Sequence, residues 1–530
     1  MSQAFKILIA DGLAPEAITK LKALSGAELE DATGISRADL MEKLPGVDIL
    51  IVRSRTEVDK ELLESSSRLK LAVRAGIGLD NVDVKAATER GVVVMNAPRG
   101  NTITTAEHAM ALMFAVSRRI PAADASLRAG KWEKKLFQGS QLAGKTLGIV
   151  GLGNIGKTLA KSAQGIGMHV VGFDPYVNEE MADKMNVKLL KLEELLADSD
   201  YISLHVPLTD GTRHLISNQA FSQMRKKPYL INCARGGIVD EKALEDALEK
   251  GLISGCALDV FEEEPPGEGL PLFARPNVVV TPHLGASTDE AQVQVGLEVA
   301  DQVKSFITQG VYINAVNVPN LSVEQLKIMK PHLKLCEVLG NFLGQVTPEK
   351  VTKISVHFEG NISKSYNEVL TLSVLKGYLT PLSSAAVNFV NAKNVARDRG
   401  ICVEETRNDE CPNFASLVRV TIEGAVTLSC AGTLFGKGEP RIVNIDRMPT
   451  EAIPSGYILF TRNEDRPGVV GALGSVLGSE GINIARMALG LNKETGQAIA
   501  LISGDSPVAA ETLDKLRKTE GMLSVQQVQL

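Results

Sequence analysis

The alternation of apolar and polar positions divides the chain into segments with two kinds of pattern. Short apolar runs, each long enough for a buried strand, alternate with stretches of helical period over residues 6–98 and again over 146–283. Such alternation predicts parallel sheets flanked by helices. Between the two segments, the apolar run at 109–116 predicts a helix, and Thr104 and Glu107 have the spacing of a capping box at its start.

The pattern changes after residues 316–320, Val-Asn-Val-Pro-Asn, whose composition predicts a linker. Residues 321–450 begin with helical periodicity and end with apolar runs at 417–422, 425–430 and 441–445 that predict strands. From residue 457 onward the predicted order is strand, helix, strand, strand, helix, strand, which is the ferredoxin-like order. The predicted fold class is α/β, with two Rossmann-like or flavodoxin-like parallel-sheet domains, an α+β domain and a ferredoxin-like domain.

Composition and charge exclude several classes of protein. The 530 residues are 44% hydrophobic and 23% charged, with a net charge of −6 and no long basic run, so we expect neither nucleic acid nor a membrane as partner. The first residues have no signal-peptide pattern, which favours a cytoplasmic protein; plastid import stays open if a transit peptide was removed. Six scattered cysteines without a Cys-x-x-Cys pair predict reduced thiols and no metal site.

A glycine-rich loop follows the first apolar run of the second series. Gly151 allows a tight turn, Gly153 lets the backbone approach a pyrophosphate, and Gly156 lets the following helix pack closely on the strand. The next apolar run ends in Asp174, whose carboxylate can bind a ribose 2′-hydroxyl and would repel a 2′-phosphate. These features together predict an NAD site and favour NAD over NADP.

Candidate catalytic residues follow later strands of the same series. Arg235, Glu264 and His283 each come after a predicted strand, and the carboxyl ends of parallel strands converge at one groove. Glu264 could hold the imidazolium of His283 while Arg235 binds a carboxylate, which is the chemistry for oxidising a 2-hydroxy acid. Taken from the residues alone, a structural histidine and a solvated acidic loop at 262–264 stay open as alternatives.

Cations also end two strands of the N-terminal segment. Arg53 and Arg55 follow one apolar run and Arg74 ends the next, near the glycines at 76 and 78. Such a group could form an anion-binding cup, and a phosphate favours more than one cation. Ordinary surface arginines are the alternative.

These motifs resemble those of the D-isomer-specific 2-hydroxyacid dehydrogenase family over residues 1–315. The matching stretches are 73–76, 81–83, 148–156 with Asp174, 232–237, 257–265 and 282–288. The resemblance implies that Arg235, Glu264 and His283 are catalytic. It implies an NAD site lined by Gly151, Gly153, Asn154, Ile155, Gly156, Asp174, Pro207, Cys233 and Asp259. It also implies a substrate site formed by Arg53, Ser54, Arg74, Gly76 and Asn101, with Lys134 supplied by a neighbouring subunit.

The C-terminal part resembles an ACT regulatory domain through residues 465–469 and 481–484. The resemblance implies pairing between subunits and an amino-acid effector such as L-serine, with Asn463, Asp465 and Asn483 as regulatory residues. Serine-inhibited relatives have a histidine and an asparagine where this chain has Asn463 and Asp465.

The chain is therefore predicted to have four domains. A discontinuous substrate-binding domain comprises residues 1–98 and 285–316, and an NAD-binding domain comprises residues 99–284. An intervening domain follows at residues 317–452, and an ACT domain at residues 453–530. The resemblance extends to the long family members that act on 3-phosphoglycerate. It implies NAD-dependent oxidation of 3-phosphoglycerate to 3-phosphohydroxypyruvate, the first step of serine synthesis, by a homodimer or homotetramer. Two alternatives stay open: a family member acting on glycerate, hydroxypyruvate or 2-hydroxyglutarate, and an NAD-sensing, protein-binding module similar to corepressors.

Overall fold

The computed structural model describes residues 4–267, 269–347, 350–364, 366–504 and 506–530. Within these residues the chain forms four sheets in succession along the sequence. Two parallel sheets come first, then a mixed sheet and an antiparallel sheet, so the predicted fold class is confirmed.

The first sheet is parallel, in the order β2-β1-β3-β4-β5. Its strands are β1 Phe5–Ile9, β2 Ala27–Asp31, β3 Ile49–Val52, β4 Leu71–Arg74 and β5 Val93–Asn96. The connecting helices are α1 Pro15–Lys22, α2 Arg37–Lys43, α3 Lys60–Glu64 and α4 Val84–Glu89. The sequence pattern missed β2, because its alternating acidic residues suit a half-exposed edge strand and give no apolar run.

Two helices, α5 Thr102–Arg118 and α6 Ile120–Arg128, lead from the first sheet to the second. The helix predicted from the apolar run at 109–116 is present, but its predicted start was wrong. Helix α5 begins after Asn101, and Thr104 and Glu107 lie inside its first turns. The capping-box spacing thus occurs within the helix, whose first turn is closed by a bond from the Thr105 N–H to the carbonyl oxygen of Asn101 at 3.0 Å.

The second sheet is also parallel, in the order β12-β11-β10-β9-β6-β7-β8. Its strands are β6 Thr146–Val150, β7 His169–Phe173, β8 Lys188–Leu189, β9 Tyr201–Leu204, β10 Tyr229–Asn232, β11 Gly255–Leu258 and β12 Val278–Val280. Its connecting helices are α7 Asn154–Gly165, α8 Glu179–Asp183, α9 Leu192–Asp198, α10 Asn218–Gln223 and α11 Glu241–Glu249. A long helix, α12 Asp289–Gln309, follows β12. The strand order reverses beside β6, where the glycine loop begins, which is where a nucleotide binds in such sheets.

Helix α12 returns the chain to the first sheet. Val295, Val299 and Val303 on one of its faces are buried in the same core as the apolar residues of β1, β3 and β4. Lys20 and Asp301 form an ion pair at 2.7 Å between α1 and α12. After α12, the backbone N–H of Val316 donates to Val94 O at 2.9 Å, so the segment that follows lies beside β5.

The third sheet has the order β14-β13-β15-β16-β17-β18, with β13 and β14 parallel and the other pairs antiparallel. Its strands are β13 Val351–Gly360, β14 Cys402–Asn408, β15 Ser416–Gly424, β16 Thr427–Phe435, β17 Glu439–Ile445 and β18 Met448–Ala452; its helices are α13 Val323–Val346, α14 Asn367–Leu379 and α15 Ala392–Asp398. A turn at residues 424–426 separates β15 from β16, so the run predicted as a strand at 425–430 begins two residues too early.

The fourth sheet has the order β20-β21-β19-β22, as expected for the ferredoxin-like pattern. Its elements are β19 Tyr457–Glu464, α16 Val469–Ser479, β20 Ile484–Asn492, β21 Gln497–Gly504, α17 Ala510–Arg517 and β22 Met522–Gln529. One face packs against α16 and α17, and the other shares a core with α13, where Phe342 contacts Phe460 edge-on at 5.2 Å. The fourth sheet is therefore buried on both faces, and it shares one hydrophobic core with α13 and the third sheet.

Candidate active site

The glycine loop has the backbone that a dinucleotide site requires. Gly151 has a φ of +96°, and a Cβ there would lie 2.4 Å from the carbonyl oxygen of His205. A Cβ on Gly156 would lie 2.1 Å from the carbonyl oxygen of Gly151, so side chains are excluded at both positions. Around Gly153 the space is open among the described residues, and no side chain of those residues caps the N-terminus of α7. Open space before uncapped N–H groups fits a pyrophosphate.

Asp174 is fixed beside this loop at the carboxyl end of β7. Its Oδ2 accepts from the backbone N–H of Leu152 at 2.8 Å, and its Oδ1 accepts from that of Tyr176 at 2.9 Å. The two bonds orient the carboxylate, and each oxygen keeps a second lone pair for a ribose hydroxyl. The loop and Asp174 therefore fit NAD through their own geometry.

The remaining residues predicted for the NAD site follow other strands of the same sheet. Asn154 and Ile155 begin α7, Pro207 follows β9, Cys233 follows β10, and Asp259 follows β11. All therefore lie at the carboxyl edge of the sheet, and their contacts with NAD stay a prediction. Burial raises the pKa of Cys233 well above its usual value, with a further contribution from the charge of Asp259, so this thiol is not a nucleophile at neutral pH.

His283 and Glu264 form the shortest side-chain contact of the candidate catalytic set. Nδ1 of His283 lies 2.7 Å from Oε2 of Glu264, and the other carboxylate oxygen accepts from the backbone N–H of Phe261 at 3.1 Å. Burial alone would raise the pKa of Glu264, but these bonds and the charges of His283 and Arg235 hold it below its usual value. The carboxylate is therefore ionised at neutral pH and can stabilise an imidazolium.

His205, the other histidine after a strand of this sheet, has a different environment. Burial lowers its pKa to about 4, and its Nε2 lies 2.8 Å from Oγ of Ser203. It stays neutral at physiological pH, and its buried Nδ1 has no hydrogen-bond partner among the described residues to stabilise a charged form. His283 is therefore the better candidate for an acid–base group.

Arg235 reaches from the second sheet to the first. Its Nε donates to Oδ2 of Asp80 at 3.1 Å, and its Nη1 donates to the carbonyl oxygen of Ala234 at 2.6 Å. A Cβ on Gly78 would overlap the guanidinium, so the loop after β4 must approach Arg235 closely. The side chain of Arg235 is 23% exposed and its Nη2 has no protein partner among the described residues, which leaves a donor for a carboxylate.

The predicted anion cup lies against the same loop. The Nε of Arg74 donates to Oδ1 of Asn81 at 3.1 Å, while the amide of Asn81 donates to the carbonyl oxygens of Arg53 and Thr56. Burial and the charges of Arg235 and Arg53 lower the pKa of Arg74 to about 10, so it stays charged at neutral pH. The guanidinium groups of Arg53, Arg74 and Arg235 are thus close enough for their charges to repel one another. This repulsion favours an anionic ligand among them.

A buried aspartate holds the strand end that carries Arg53 and Ser54. Asp11 is 5% exposed and accepts from the backbone N–H of Arg53 at 2.7 Å and from Nε of Arg55 at 3.1 Å. Thr56 donates to it through both its backbone N–H and its hydroxyl. Arg55 is therefore a bonding partner of Asp11, whereas the charge of Arg53 acts on Arg74 in the cup.

The other predicted substrate residues lie in different surroundings. Gly76 is in contact with Arg74, since a Cβ there would lie 2.4 Å from its Nη1. Asn101 immediately precedes α5, and its Oδ1 is buried without a donor among the described residues. Lys134 begins a 3-10 helix, Lys134–Phe137, beside the exposed Trp132, and no described bond joins it to Arg235, Glu264 or His283. Lys134 thus makes no direct contact with the catalytic candidates within the described part of one chain.

Sequence reasoning assigned no role to Asp11, Asp80, Asn81 or His108, all of which hold residues of the site. Asp80 and Asn81 follow the Gly-x-Gly segment after one intervening residue, Leu79, so their position close to strand-end cations was a usable signal. Asp11 lies two residues after β1, the neighbour of β3 in the sheet, so its position was equally visible from the strand pattern. His108 gave no signal, since one histidine within a helix is usually structural.

The predicted regulatory residues lie at opposite ends of the fourth sheet. Asn463 is buried near the end of β19, and Asp465 follows that strand. Asn483 precedes β20 and lines a small pocket together with Tyr457, at the start of β19. Six residues of strand separate the two ends by about 20 Å. A single chain therefore does not bring Asn483 to Asn463 and Asp465.

Two further findings concern metals and membranes. Among the described residues, no three His, Cys, Asp or Glu side chains are grouped so that they could hold a metal ion, and the six cysteines are free thiols. No helix in the described ranges combines the length and the apolar character needed to cross a bilayer.

Models of three protein families match successive parts of the chain. The D-isomer specific 2-hydroxyacid dehydrogenase NAD binding domain matches residues 110–285. The D-3-phosphoglycerate dehydrogenase intervening domain matches residues 328–446, and the ACT domain matches residues 457–521.

Individual relatives agree with these matches. D-3-phosphoglycerate dehydrogenase of Methanocaldococcus jannaschii is 40% identical over 527 residues, which cover 99% of this chain and 100% of that protein. The solved glyoxylate reductase of Paecilomyes thermophila is 31% identical with a TM-score of 0.55, over 60% of this chain and 99% of that one. D-lactate dehydrogenase of Aquifex aeolicus, solved with NAD and lactic acid, is 28% identical with a TM-score of 0.52, over 59% of this chain and 100% of that one.

Proposed function

Because the chain belongs to the D-isomer-specific 2-hydroxyacid dehydrogenase family, and within it to the D-3-phosphoglycerate dehydrogenases, we propose which of its residues carry out the NAD-dependent oxidation of 3-phosphoglycerate to 3-phosphohydroxypyruvate. This reaction is the first step of serine synthesis by the phosphorylated route. The observation that carries the proposal is the meeting of Arg235 and the Glu264–His283 pair at one groove with the arginines of the first sheet.

The acid–base role belongs to His283. Glu264 occupies Nδ1 of the imidazole, which leaves Nε2 to face the substrate and to take the hydroxyl proton. The carboxylate of Glu264 stabilises the imidazolium that results. NAD, held by the glycine loop and Asp174, supplies a hydride acceptor when it is bound. In the reverse direction, His283 returns the proton to the oxygen of the oxo acid.

The substrate carries two anionic groups, and the site offers cations for both. Arg235 binds the carboxylate beside the reacting carbon through donors that Asp80 and Ala234 leave free. Arg53 and Arg74, with the backbone of Gly76 and the side chains of Ser54 and Asn101, bind the rest of the substrate. The side-chain amide of Asn101 offers N–H donors to the anionic oxygens of the substrate.

A substrate panel tests this assignment. The purified protein should reduce NAD with 3-phosphoglycerate at a higher kcat/KM than with D-glycerate or 2-hydroxyglutarate, and preference for either of these would favour another activity within the family. His283→Gln should abolish turnover and keep NAD binding, because glutamine cannot take a proton. Turnover by this variant at the wild-type rate would overturn the catalytic assignment. Protein capture without turnover by the wild type would favour the NAD-sensing alternative.

A homo-oligomer, either a dimer or a tetramer, completes the site in this proposal. Large apolar side chains of α5, α6 and the segment after them are exposed, including Phe114, Leu127 and Trp132, the last at 83%. Such a surface supports burial against a second copy, which would supply Lys134 to the neighbouring site. The mass of the protein in solution, measured by light scattering, tests the oligomeric state.

An amino-acid effector such as L-serine would bind at the ACT domain between two copies. The separation of Asn483 from Asn463 and Asp465 supports this, because one copy can supply one end of β19 while a second copy supplies Asn483. Asp465 could accept the ammonium group of the effector. Titration calorimetry with L-serine, with and without the substitution Asp465→Asn, tests this part of the proposal.

The domain division proposed from the sequence has structural support. Residues 1–98 with 285–316 contain the first sheet and α12, residues 99–284 the second sheet, 317–452 the third and 453–530 the fourth. We also propose a cytoplasmic location, which localisation of a tagged protein would test.

A further inference from the structure

The carboxylate of Asp259 is the centre of a hydrogen-bond network beneath the His283 loop. Its side chain is 1% exposed, and Oδ1 accepts from the Thr281 hydroxyl at 2.5 Å and from the Leu284 N–H at 2.7 Å. Oδ2 accepts from the Gly285 N–H at 2.8 Å. A buried carboxylate needs such donors, since an unpaired charge there is strongly destabilising. Asp259 therefore holds both ends of the loop from residue 281 to residue 285.

His283 needs this support because its backbone is strained. Its φ is +55°, in the left-handed region that few residues other than glycine adopt without cost. Its N–H donates to the carbonyl oxygen of Asp259 at 2.9 Å. The conformation that directs the imidazole toward Glu264 is therefore maintained by bonds to Asp259 on both sides of His283.

Helix α5 completes the network from the opposite side. Thr105 and His108 are three residues apart and so share a helix face. The hydroxyl of Thr105 donates to the carbonyl oxygen of Gly285 at 3.0 Å. Nε2 of His108 lies 3.1 Å from both Oδ1 of Asp259 and Oγ1 of Thr281. Since the Thr281 hydroxyl donates its only hydrogen to Asp259, Nε2 of His108 must carry a hydrogen and donate to both oxygens.

We propose that His108 is a positioning residue for His283, acting through Asp259, and that Thr105 of the same helix supports the loop from its far end. The proposal rests on the proposed acid–base role of His283. Helix α5 begins immediately after Asn101, so one rigid element would fix both a predicted substrate contact and the acid–base group. A rigid support of this kind matters because small displacements of reacting groups carry large rate penalties.

Three substitutions in the full-length enzyme test the proposal. His108→Leu removes the donor, His108→Gln keeps an N–H at about the position of Nε2, and Glu107→Gln changes the exposed neighbour on the solvent side as the matched control. For each, kcat, KM for 3-phosphoglycerate, the Kd for NAD and Tm are measured. We expect His108→Leu to lower kcat on the order of 10²-fold, with much smaller changes in KM and Kd. His108→Gln should recover most of kcat, and Glu107→Gln should match the wild type.

Thr105→Val provides a second, milder variant in case His108→Leu does not fold. It removes one hydroxyl at nearly constant volume and should lower kcat without a matching change in KM. If His108→Leu, or Thr105→Val in its place, lowers Tm but keeps wild-type kcat for the folded enzyme, the role is structural and the proposal is wrong. Equal losses in His108→Gln and His108→Leu would also overturn it. Failure of the proposed function itself would appear separately, as inactive wild type or an active His283→Gln variant.

Discussion

Nδ1 of His283 lies 2.7 Å from Oε2 of Glu264, although 19 residues separate them in the chain. The two residues follow different strands, β12 and β11, and meet because parallel strands end at the same edge of the sheet. The contact fixes which imidazole nitrogen is available to a substrate. It also couples the protonation of the imidazole to a carboxylate that is ionised at neutral pH.

Glu264→Gln should therefore impair the reduction of 3-phosphohydroxypyruvate more than the oxidation of 3-phosphoglycerate at neutral pH. Reduction needs a protonated imidazole, and the substitution removes the negative charge that stabilises it. The ratio of kcat for reduction to kcat for oxidation should therefore fall below that of the wild type. Initial rates of both reactions at saturating substrate and neutral pH check this. An unchanged ratio would show that Glu264 does not act on His283 in the enzyme–substrate complex.

The fold could be predicted from the sequence wherever an element is buried. Strands such as β3 and β9 are buried along their whole length, and their apolar residues gave clear runs in the sequence. Several strands at sheet edges were missed, among them β2 and β14. β14 is mostly exposed and polar, so its pairing with β13 rests on backbone hydrogen bonds that leave no apolar pattern.

The catalytic candidates were predictable for a related reason. Arg235, Glu264 and His283 follow strands of one sheet, and the topology of that sheet brings them together without any other information. Contacts between domains do not follow from topology: Asp80 and Arg235 lie 155 residues apart, on different sheets. Such a pair depends on how two domains face each other, which strand order within each domain does not determine.

Asp11→Asn should destabilise the N-terminal domain by about 1–3 kcal/mol at neutral pH. The NH2 group of the asparagine would point at the N–H and O–H donors that now bond to the carboxylate of Asp11. Burial alone would raise the pKa of Asp11, but the bonds from Arg53, Thr56 and Arg55 hold it below its usual value of 3.8. A lowered pKa means that the ionised form stabilises the fold above the unfolded pKa, and that this contribution is lost as pH falls through the folded pKa.

The difference in Tm between wild type and Asp11→Asn should therefore be constant at neutral pH and narrow below pH 3.8. Scanning calorimetry across this range measures it. Asp39→Asn is a suitable control, since Asp39 is an exposed acidic residue in the same domain. A difference that widens on acidification would contradict the assigned direction.

Asp174→Ala should lower kcat/KM for NAD and raise the relative use of NADP. The carboxylate is the proposed partner of the ribose 2′-hydroxyl, and loss of a charged acceptor costs about 1.5–3 kcal/mol, or roughly 10- to 100-fold. Its loss also removes the repulsion of a 2′-phosphate. The ratio of kcat/KM for NAD and NADP is the measurement.

Asp174→Asn separates recognition from loop structure, because one amide oxygen can still accept from the backbone N–H of Leu152. This variant should keep the conformation of the glycine loop and still lose part of its preference for NAD over NADP. An unchanged coenzyme ratio in both variants would exclude Asp174 as the selecting residue.

Arg53→Met should lower kcat/KM for 3-phosphoglycerate more than for D-glycerate. Methionine keeps the apolar stem and removes the cation, and a hydrogen bond to a charged group is worth about 1.5–3 kcal/mol. The expected loss is therefore roughly 10- to 100-fold for the phosphorylated substrate. Arg37→Met is the control, because Arg37 pairs with Asp59 and Glu61 in an exposed cluster. Equal losses for both substrates would assign Arg53 to the shared carboxylate.

Lys134→Ala should raise KM for 3-phosphoglycerate, but only because each subunit then lacks a cation from its neighbour. The Lys134→Ala and His283→Gln variants are mixed, dissociated and allowed to reassociate, which creates hybrids with one chain of each kind. In such a hybrid, the site on the Lys134→Ala chain has an intact His283 and receives an intact Lys134 from the other chain. The mixture should therefore be more active at low substrate concentration than the sum of the separately treated variants. Activity equal to that sum would show that Lys134 acts within its own chain or away from the site. The same mixing with Lys135→Ala in place of Lys134→Ala controls for general effects on the exposed segment, since both lysines lie in the 3-10 helix beside Trp132.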